Sequence, residues 1–261
     1  MNKFLQITIS IFLSITFLNA DNIEKKQNVQ NQQNTKKEFS FSAKGVKITN
    51  VKDNKTTIEI GNLIIGQSGI VIHIYDDNKR MIVANAQVIE SNETSSVIKF
   101  SKFNDLKQNA IPTSKREVEK DDILVLNYLY TSSLLITPNL ETFQAIRANF
   151  KYNNFLHSDI FATKLKMENM PYLTKEYIQE YAIEQNLGTI FIVTNQNLYV
   201  LDTKTFKILT KYRVNYDASK SEMPFYTRVE DIESSTFDIE LFSEKEKLSY
   251  DEYYTKLLGL K

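Results

Sequence analysis

The feature that most constrains the fold is a series of short runs in which β-branched or aromatic residues occupy alternate positions. The runs lie within residues 39–122 and read KGVKITNV, TTIEIG, SGIVIHIYDD, MIVANAQVIES and SSVIKFSKF. Alternation with a period of two is typical of strands that bury one face, and the Asp, Asn, Gly and Ser residues between the runs favour turns. Five or six strands so closely spaced predict a small antiparallel β-barrel or sandwich domain over 39–122.

A second pattern begins at residue 123. The strand-like runs ILVLNYLY, SLLITPN and GTIFIVTNQNLYVLD alternate with LETFQAIRANF and TKEYIQEYAIEQNL, in which apolar residues recur at helical spacing. Thr174 is placed to cap the second of these helices, and Gly188 is placed to end it. Strands alternating with helices predict a mixed α/β domain over 123–215, which assigns the whole chain to the α+β class.

The remaining segment, 216–261, is polar and acidic and contains one candidate helix. Apolar and aromatic residues fall on a single face of this helix, and Ser249 followed three residues later by a glutamate has the spacing of a capping box. Gly259 is placed to end the helix. We therefore expect the last two residues, Leu260 and Lys261, to be frayed in solvent.

The N-terminus has the pattern of a secretory signal. Lys3 precedes an uncharged apolar run, and Ala20 stands before a polar residue. This predicts a signal peptide over 1–20, cleaved after Ala20, although Leu18 is a poor fit to the −3 position and an uncleaved anchor is the alternative. Residues 21–38 are almost wholly Asn, Gln, Lys and Glu, which predicts a disordered tether. No later run is long enough for a bilayer span of ~20 residues, so we expect an exported protein without a stable transmembrane span after cleavage.

Composition excludes several kinds of partner and chemistry. Lys and Arg total 32 and Asp and Glu total 32, so no overall field draws the chain to nucleic acid. The chain has no cysteine, which excludes disulfides, thiolate catalysis and Cys-based metal sites. With two histidines in all, a multi-histidine metal site is not expected either, and no cofactor is predicted.

No arrangement of residues indicates an enzyme. His157, Ser158 and Asp159 adjoin one another, but neighbours in sequence rarely face each other and no nucleophile elbow accompanies them. His73 lies in an alternating strand, which predicts a side chain on the less buried face. The carboxylate pairs, such as Asp121–Asp122, fall at turns and are typical of a solvated edge.

Several motifs in fixed order resemble one family. They are IGQSGIVIHIYDDNKRMIVANAQV, FNDLKQNAIPT, DDILVLNYLYTSSLLITPNLETFQAI, FLHSDIFATKL and TKEYIQEYAIEQNLGTIFIVTNQNLYVLD. Together they resemble the N-terminal domain of the plasminogen-binding proteins of Helicobacter, Campylobacter and their relatives, over residues 45–214. The resemblance implies structural roles for a family-like framework, namely His73, Asn127, Tyr128, Pro138, Asn139, His157 and Asp159.

The resemblance also implies a function, which is non-catalytic capture of host plasminogen by an exported protein. This family is known for lysine-dependent binding, in particular at the carboxyl terminus. A kringle-type pocket takes up a zwitterion, with acidic residues at the ammonium, cationic residues at the carboxylate and aromatic rings along the methylenes. The candidate contacts are Lys261 as principal residue and, as an internal mimic at positions i and i+4 of one helix, Glu252 and Lys256.

Two other classes of function are left open by the sequence. The first is a periplasmic structural or assembly factor that contacts other envelope proteins and has no host ligand. The second is an enzyme or small-molecule receptor built on the α/β region. The expected location is the outer surface or the periplasm of a Gram-negative bacterium.

Overall fold

Two β-sheets and four α-helices make up the described part of the chain. The computed structural model describes residues 39–75, 79–105, 116–170, 173–230 and 248–260. The predicted signal peptide (1–20), the predicted tether (21–38) and Lys261 lie outside these residues. The α+β class is confirmed, because antiparallel strands fill the first part of the described chain and strands mixed with helices fill the second.

The first sheet is antiparallel throughout and has the order β1-β6-β3-β4-β5-β2. Its strands are β1 (Lys44–Lys47), β2 (Lys55–Ile58), β3 (Ser68–Tyr75), β4 (Lys79–Ser91), β5 (Ser96–Lys102) and β6 (Ile123–Leu126). Two bulges bend the long strand β4, one at Val83, opposite Val71 and Ile72 of β3, and one at Ile89, between Val88 and Glu90. The sheet therefore curves around its own apolar face.

The curved face carries a core drawn from all of its strands, with Ile58, Val71, Ile98 and Leu124 almost fully buried. Within the described residues β1 and β2 are the two edge strands and do not pair with each other, so the sheet is a half-barrel and not a closed barrel. The prediction of an antiparallel barrel-like unit is confirmed in this open form.

The second sheet mixes parallel and antiparallel pairs in the order β11-β10-β9-β7-β8. Its strands are β7 (Ser132–Ile136), β8 (Asn154–Leu156), β9 (Thr189–Thr194), β10 (Asn197–Asp202) and β11 (Ile208–Arg213). The helices are α1 (Leu140–Asn149), α2 (Ser158–Glu168), α3 (Lys175–Glu184) and α4 (Tyr250–Leu257).

Both faces of this second sheet are covered. Helices α2, α3 and α4 pack on the face that carries Ile190 and Ile192, and α1 packs on the face that carries Phe191 and Val193. Every residue of β9 is consequently buried, which explains why its sequence reads as a continuous run rather than an alternation.

The run ILVL belongs to a different sheet from the one its sequence suggested. Assigned by pattern to the α/β region, it forms β6 and pairs with β1 and β3 of the first sheet. The chain passes from the first sheet to the second over residues 127–131. The limits of the two domains stay a prediction.

Helix α3 begins where the sequence predicted and ends earlier. Thr174 caps it by accepting a hydrogen bond from the Tyr177 N–H at 3.1 Å. The left-handed residue that ends it is Asn186 (φ 54°), so the prediction of Gly188 as the terminator is wrong. Gly188 instead allows a close approach of two backbones, because a Cβ there would lie 2.4 Å from the carbonyl carbon of Leu129.

A buried carboxylate joins the two sheets. Asp202, at the end of β10, is fully buried, and its Oδ2 accepts hydrogen bonds from the Ser68 N–H of β3 at 3.0 Å and from the Tyr130 hydroxyl. Its Oδ1 accepts from the Thr205 N–H at 2.8 Å. Burial raises the pKa of Asp202, and the hydrogen bonds from Ser68 and Tyr130 oppose that shift.

Two further contacts strengthen this junction. The Thr205 hydroxyl donates to the Gly66 carbonyl at 2.7 Å, which links the β10–β11 turn to the segment before β3. The buried Asn127 donates to the Ser40 and Ser42 carbonyls and accepts from Gln67 at 2.5 Å. Asn127 of the family-like framework therefore has the structural role that the resemblance implied.

None of the helices in the described ranges is both long enough and apolar enough to cross a membrane.

We predict that Asp202→Asn lowers the free energy of unfolding by about 2–3 kcal/mol, because an amide N–H₂ would face the donors of Ser68, Tyr130 or Thr205. Urea unfolding measures the change. The control is Asp53→Asn at an exposed position with φ 52°, where Asn is well tolerated and the change stays within about 0.5 kcal/mol. Equal midpoints for Asp202→Asn and the wild type would show that the junction does not depend on this carboxylate.

Candidate binding site at the C-terminal helix

The N-terminus of α4 is held by the predicted capping box. The Ser249 Oγ accepts from the Glu252 N–H at 3.4 Å, and the Glu252 carboxylate accepts from the Ser249 N–H at 2.8 Å and its hydroxyl at 2.7 Å. These hydrogen bonds lower the pKa of Glu252. The cap satisfies N–H groups that a short helix otherwise leaves without partners.

One face of α4 is aromatic and packs on the second sheet. Tyr250 and Tyr254 are buried, with ring centroids 4.6 Å apart, and belong to the same apolar cluster as Ile190 and Ile192 of β9. The Tyr254 hydroxyl donates to the Pro224 carbonyl at 2.6 Å. An eight-residue helix is marginal alone, so this packing supplies most of its stability.

Asp251 fixes the helix to the β9–β10 turn. Its Oδ1 accepts from the Thr194 hydroxyl at 3.1 Å, from the Asn195 N–H at 2.9 Å and from the Tyr216 hydroxyl. Burial and then the adjacent carboxylate raise the pKa of Tyr216 well above its usual value. One turn further along, the Asn195 side chain donates to the Thr255 hydroxyl at 2.7 Å.

The C-terminus of α4 ends in a Schellman motif. Gly259 has φ 66°, its N–H bonds to the Lys256 carbonyl at 3.1 Å, and the Leu260 N–H bonds to the Thr255 carbonyl at 2.9 Å. Leu260 is partly buried against the apolar cluster. The expectation that Leu260 frays in solvent is therefore wrong, because the motif and this packing hold it. Lys261 lies outside the described residues.

Glu252 and Lys256 both have exposed side chains, one helical turn apart. The Glu252 carboxylate accepts from Ser249 in the cap, and within the described ranges no ion pair joins it to Lys256. The two charges of the predicted internal mimic are thus present on the surface of α4 but are not paired with each other. Nothing in the structure tests their role in binding.

Both histidines have structural partners. The Nδ1 of His157 accepts from the Asp159 N–H at 3.2 Å, which caps α2. The Asp159 carboxylate accepts hydrogen bonds from Thr227 and Arg228. Burial acts to raise the pKa of Asp159, but these hydrogen bonds outweigh it and the pKa is lowered. His157 and Asp159 therefore join α2 to the segment before α4.

No local sequence pattern identified the partner of His73. Its Nδ1 lies 2.6 Å from Oδ1 of Asp122, a fully buried carboxylate that also binds the Arg116 guanidinium at 3.1 Å. The imidazole thus connects β3 to the loop before β6. The expectation of a solvated edge at Asp121–Asp122 is wrong for Asp122, whose carboxylate is buried among these partners. A charged residue flanking an apolar run, as Asp122 does at ILVL, is the one signal that could have indicated this pair.

Among the residues described, no group of three or more His, Asp or Glu side chains is placed to hold a metal ion.

Comparisons with known proteins point to one family. Residues 44–258 match the family described as plasminogen-binding protein pgbA N-terminal. Two curated relatives named Plasminogen-binding protein PgbA, from the J99 and 26695 strains of Helicobacter pylori, are each 29% identical to this chain over 203 residues. The alignment covers 76% of this chain and 43% of each relative, so the chain spans less than half the length of these relatives. No solved structure matches.

We predict that Asp251→Ala loosens α4, because three donors lose one acceptor. The amides of Tyr253 and Leu258, which bond within the helix, should exchange about 30-fold faster, the equivalent of about 2 kcal/mol. Hydrogen–deuterium exchange measures this, with the amides of β3 as internal reference. Lys256→Ala, at an exposed site, is the control and should change exchange by less than about threefold. Unchanged exchange in Asp251→Ala would contradict the proposed attachment.

Proposed function

The chain belongs to the family described as plasminogen-binding protein pgbA N-terminal, and we propose from this that it is an exported protein that binds host plasminogen through lysine. The family and relative names indicate a binding protein rather than an enzyme. The chain spans less than half the length of each relative, so the plasminogen binding named for the relatives is extended to this chain only as part of the proposal. The observation that carries the lysine mechanism is the fixed C-terminal end of α4.

The chemistry of the proposed partner defines what the chain must present. A kringle lysine-binding site recognises an ammonium and a carboxylate held apart by an aliphatic stem. A lysine with a free carboxyl group supplies all three features in one residue. A protein made with Lys261 as its last residue therefore carries the complete recognition element.

The attachment of Lys261 supports its assignment as principal contact. It is bonded to Leu260, whose N–H is held by the Thr255 carbonyl and whose side chain packs on the second sheet. Ordering a flexible segment on binding costs free energy, and a fixed preceding residue reduces this cost. A lysine on an anchored stem binds with less entropic loss than one on a free tail.

Lys256 and Glu252 are assigned secondary roles. The Lys256 side chain is exposed in the last turn of α4 and offers a second ammonium. The Glu252 carboxylate, although it takes part in the cap, is also exposed and offers the opposite charge one turn away. The Lys256 ammonium and the Glu252 carboxylate belong to different residues, so they are not held at the ammonium-to-carboxylate spacing of a single lysine. Lys261 is therefore ranked first.

We predict that Lys261→Ala weakens binding to immobilised plasminogen by a factor of about ten or more, because the desolvated ammonium contact is lost. One extra Ala after Lys261 should have a similar effect, since it moves the carboxylate away from the ammonium. Surface plasmon resonance measures both. A free lysine analogue such as 6-aminohexanoate should compete with the wild type.

The matched control is Lys164→Ala on α2, a half-buried helical lysine whose ammonium is paired with Glu168 at 2.6 Å. It should leave plasminogen affinity unchanged, and Lys256→Ala should reduce it by a smaller factor than Lys261→Ala. The terminal-lysine mechanism fails if Lys261→Ala binds as tightly as the wild type with the same sensitivity to the analogue.

Export to the cell surface gives a separate prediction. Protease added to intact cells should degrade the protein, whereas a periplasmic marker protein stays protected. Protection of this chain until the outer membrane is opened would instead favour the periplasmic structural or assembly role.

A further inference from the structure

Three lysines lie side by side on the outer face of the first sheet, the face opposite its apolar core. Lys52 and Lys55 flank a two-residue turn and exchange two backbone hydrogen bonds of 2.9 Å. Lys55 is in turn the cross-strand partner of Lys99 on β5. Because residues directly opposite each other in an antiparallel pair point to the same face, the side chains of Lys52, Lys55 and Lys99 form one line across the sheet, here called the lysine row.

The alternation of the strands fixes the direction in which the row points. Ile98 and Phe100, on either side of Lys99, are buried in the core cluster of the first sheet, and Thr56, next to Lys55, is buried as well. The three lysines themselves are exposed. Neighbouring strands are about 4.8 Å apart, so the stems of the three ammonium groups begin within about 10 Å of one another.

The lysine row has no counter-charge on the described part of the chain. No ion pair there involves an ammonium of the row, whereas Lys47 on β1 is paired with Asp121 at 2.9 Å. Asp53, in the turn itself, is the acidic residue nearest in sequence, and no ion pair joins it to the row. Like charges directly opposite each other destabilise a sheet, and a bound anion would remove this repulsion.

Protection of a sheet edge explains only part of the row. Lysines on an edge strand hinder pairing with another chain, and β2 is an edge strand within the described residues. Lys99, however, lies on β5, which pairs with β2 on one side and with β4 on the other. An interior strand has no edge to protect, so the position of Lys99 requires a different explanation.

The side chains beside the row are mostly hydroxyls and amides. On the same face lie Thr57 and Ser101, each two positions from a lysine of the row, and Gln87 of β4, the cross-strand partner of Lys99. Val97, opposite Thr57, is the apolar member of the group and is half-buried. None of these residues is aromatic. This disfavours single-stranded nucleic acid, whose bases stack on aromatic rings, and a protein partner, whose interface has an apolar centre.

We propose that the lysine row binds a sulfated polysaccharide. Sulfate groups are permanently charged, accept several hydrogen bonds and recur from sugar to sugar along such a polymer, a repeat that suits ammonium groups on neighbouring strands. A lysine ammonium is a point charge with three donors on a flexible stem, so it tolerates variation in the position of each sulfate. The row lies on the first sheet, whereas the plasminogen contacts proposed above lie on α4 or beyond it. The chain thus has a second binding surface that is independent of the first.

Heparin is the probe, and the comparison ligands are hyaluronan, polyglutamate and phosphatidylglycerol vesicles. Surface plasmon resonance on the full wild-type chain should show saturable heparin binding. The logarithm of the affinity should fall against the logarithm of the salt concentration with a slope of about −2 to −3, because each of three ammonium groups displaces a little less than one counterion. Hyaluronan has a carboxylate on every second sugar and no sulfate. It should bind at least tenfold more weakly than heparin, as should polyglutamate and the vesicles. This comparison requires no variant.

The variant combines Lys52→Gln, Lys55→Gln and Lys99→Gln. It should lose about tenfold or more in heparin affinity. Its thermal midpoint should be no lower than that of the wild type, because the substitutions remove repulsion between neighbours. The matched control has the same net charge and replaces by Gln three exposed lysines that are not cross-strand partners of one another, Lys151, Lys211 and Lys220. It should keep wild-type heparin affinity.

The proposal is overturned if heparin shows no saturable binding, if any comparison ligand binds as tightly as heparin, or if the variant of the lysine row keeps wild-type affinity. An equal loss in the control variant would also overturn it, since net charge and not the row would then account for binding. Lys261→Ala should leave heparin affinity unchanged, and a loss there would place the site at the C-terminus instead. The outcome is therefore separate from that of the plasminogen experiment.

Discussion

The carboxylate of Asp202 is the interaction on which the arrangement of the two sheets depends. It belongs to the second sheet, yet one of its oxygens accepts from β3 of the first, so the sheets cannot separate without exposing donors and acceptor together. Each of the three hydrocarbon clusters belongs to one sheet and the elements packed on it. At the junction the directional contacts of Asp202 add to apolar side chains from both sheets and help to fix how the sheets are placed relative to each other.

Local features of this fold were readable from the sequence, whereas long-range ones were not. Alternation identified the antiparallel strands, and Thr174 and Ser249 marked helix starts, because these signals act over a few residues. The run ILVL was assigned to the wrong sheet, since a buried strand does not encode its neighbours. His73 and Asp122 lie 49 positions apart in the sequence, and their pairing was not predicted for the same reason.

The same distinction applies to the candidate binding site. The capping box of α4 was predicted residue by residue, but the firm position of Leu260 depends on packing against a sheet that is distant in sequence. The family match runs to residue 258 and so includes both sheets and α4. Lys256 lies inside the matched residues and Lys261 lies beyond them. The family match therefore covers the scaffold but does not include the residue that we propose as the principal contact.

The attachment of α4 also bears on how the chain acquires its structure. Asp251 lies 57 positions after Thr194, so one face of the second sheet lacks its last cover until that much more chain has been synthesised. During this interval the apolar surface around β9 is open to other molecules, a condition that favours association of incomplete chains. Contacts between such distant segments also slow folding. The helix that carries Lys256, one of the proposed contacts, is thus also the element that completes the core.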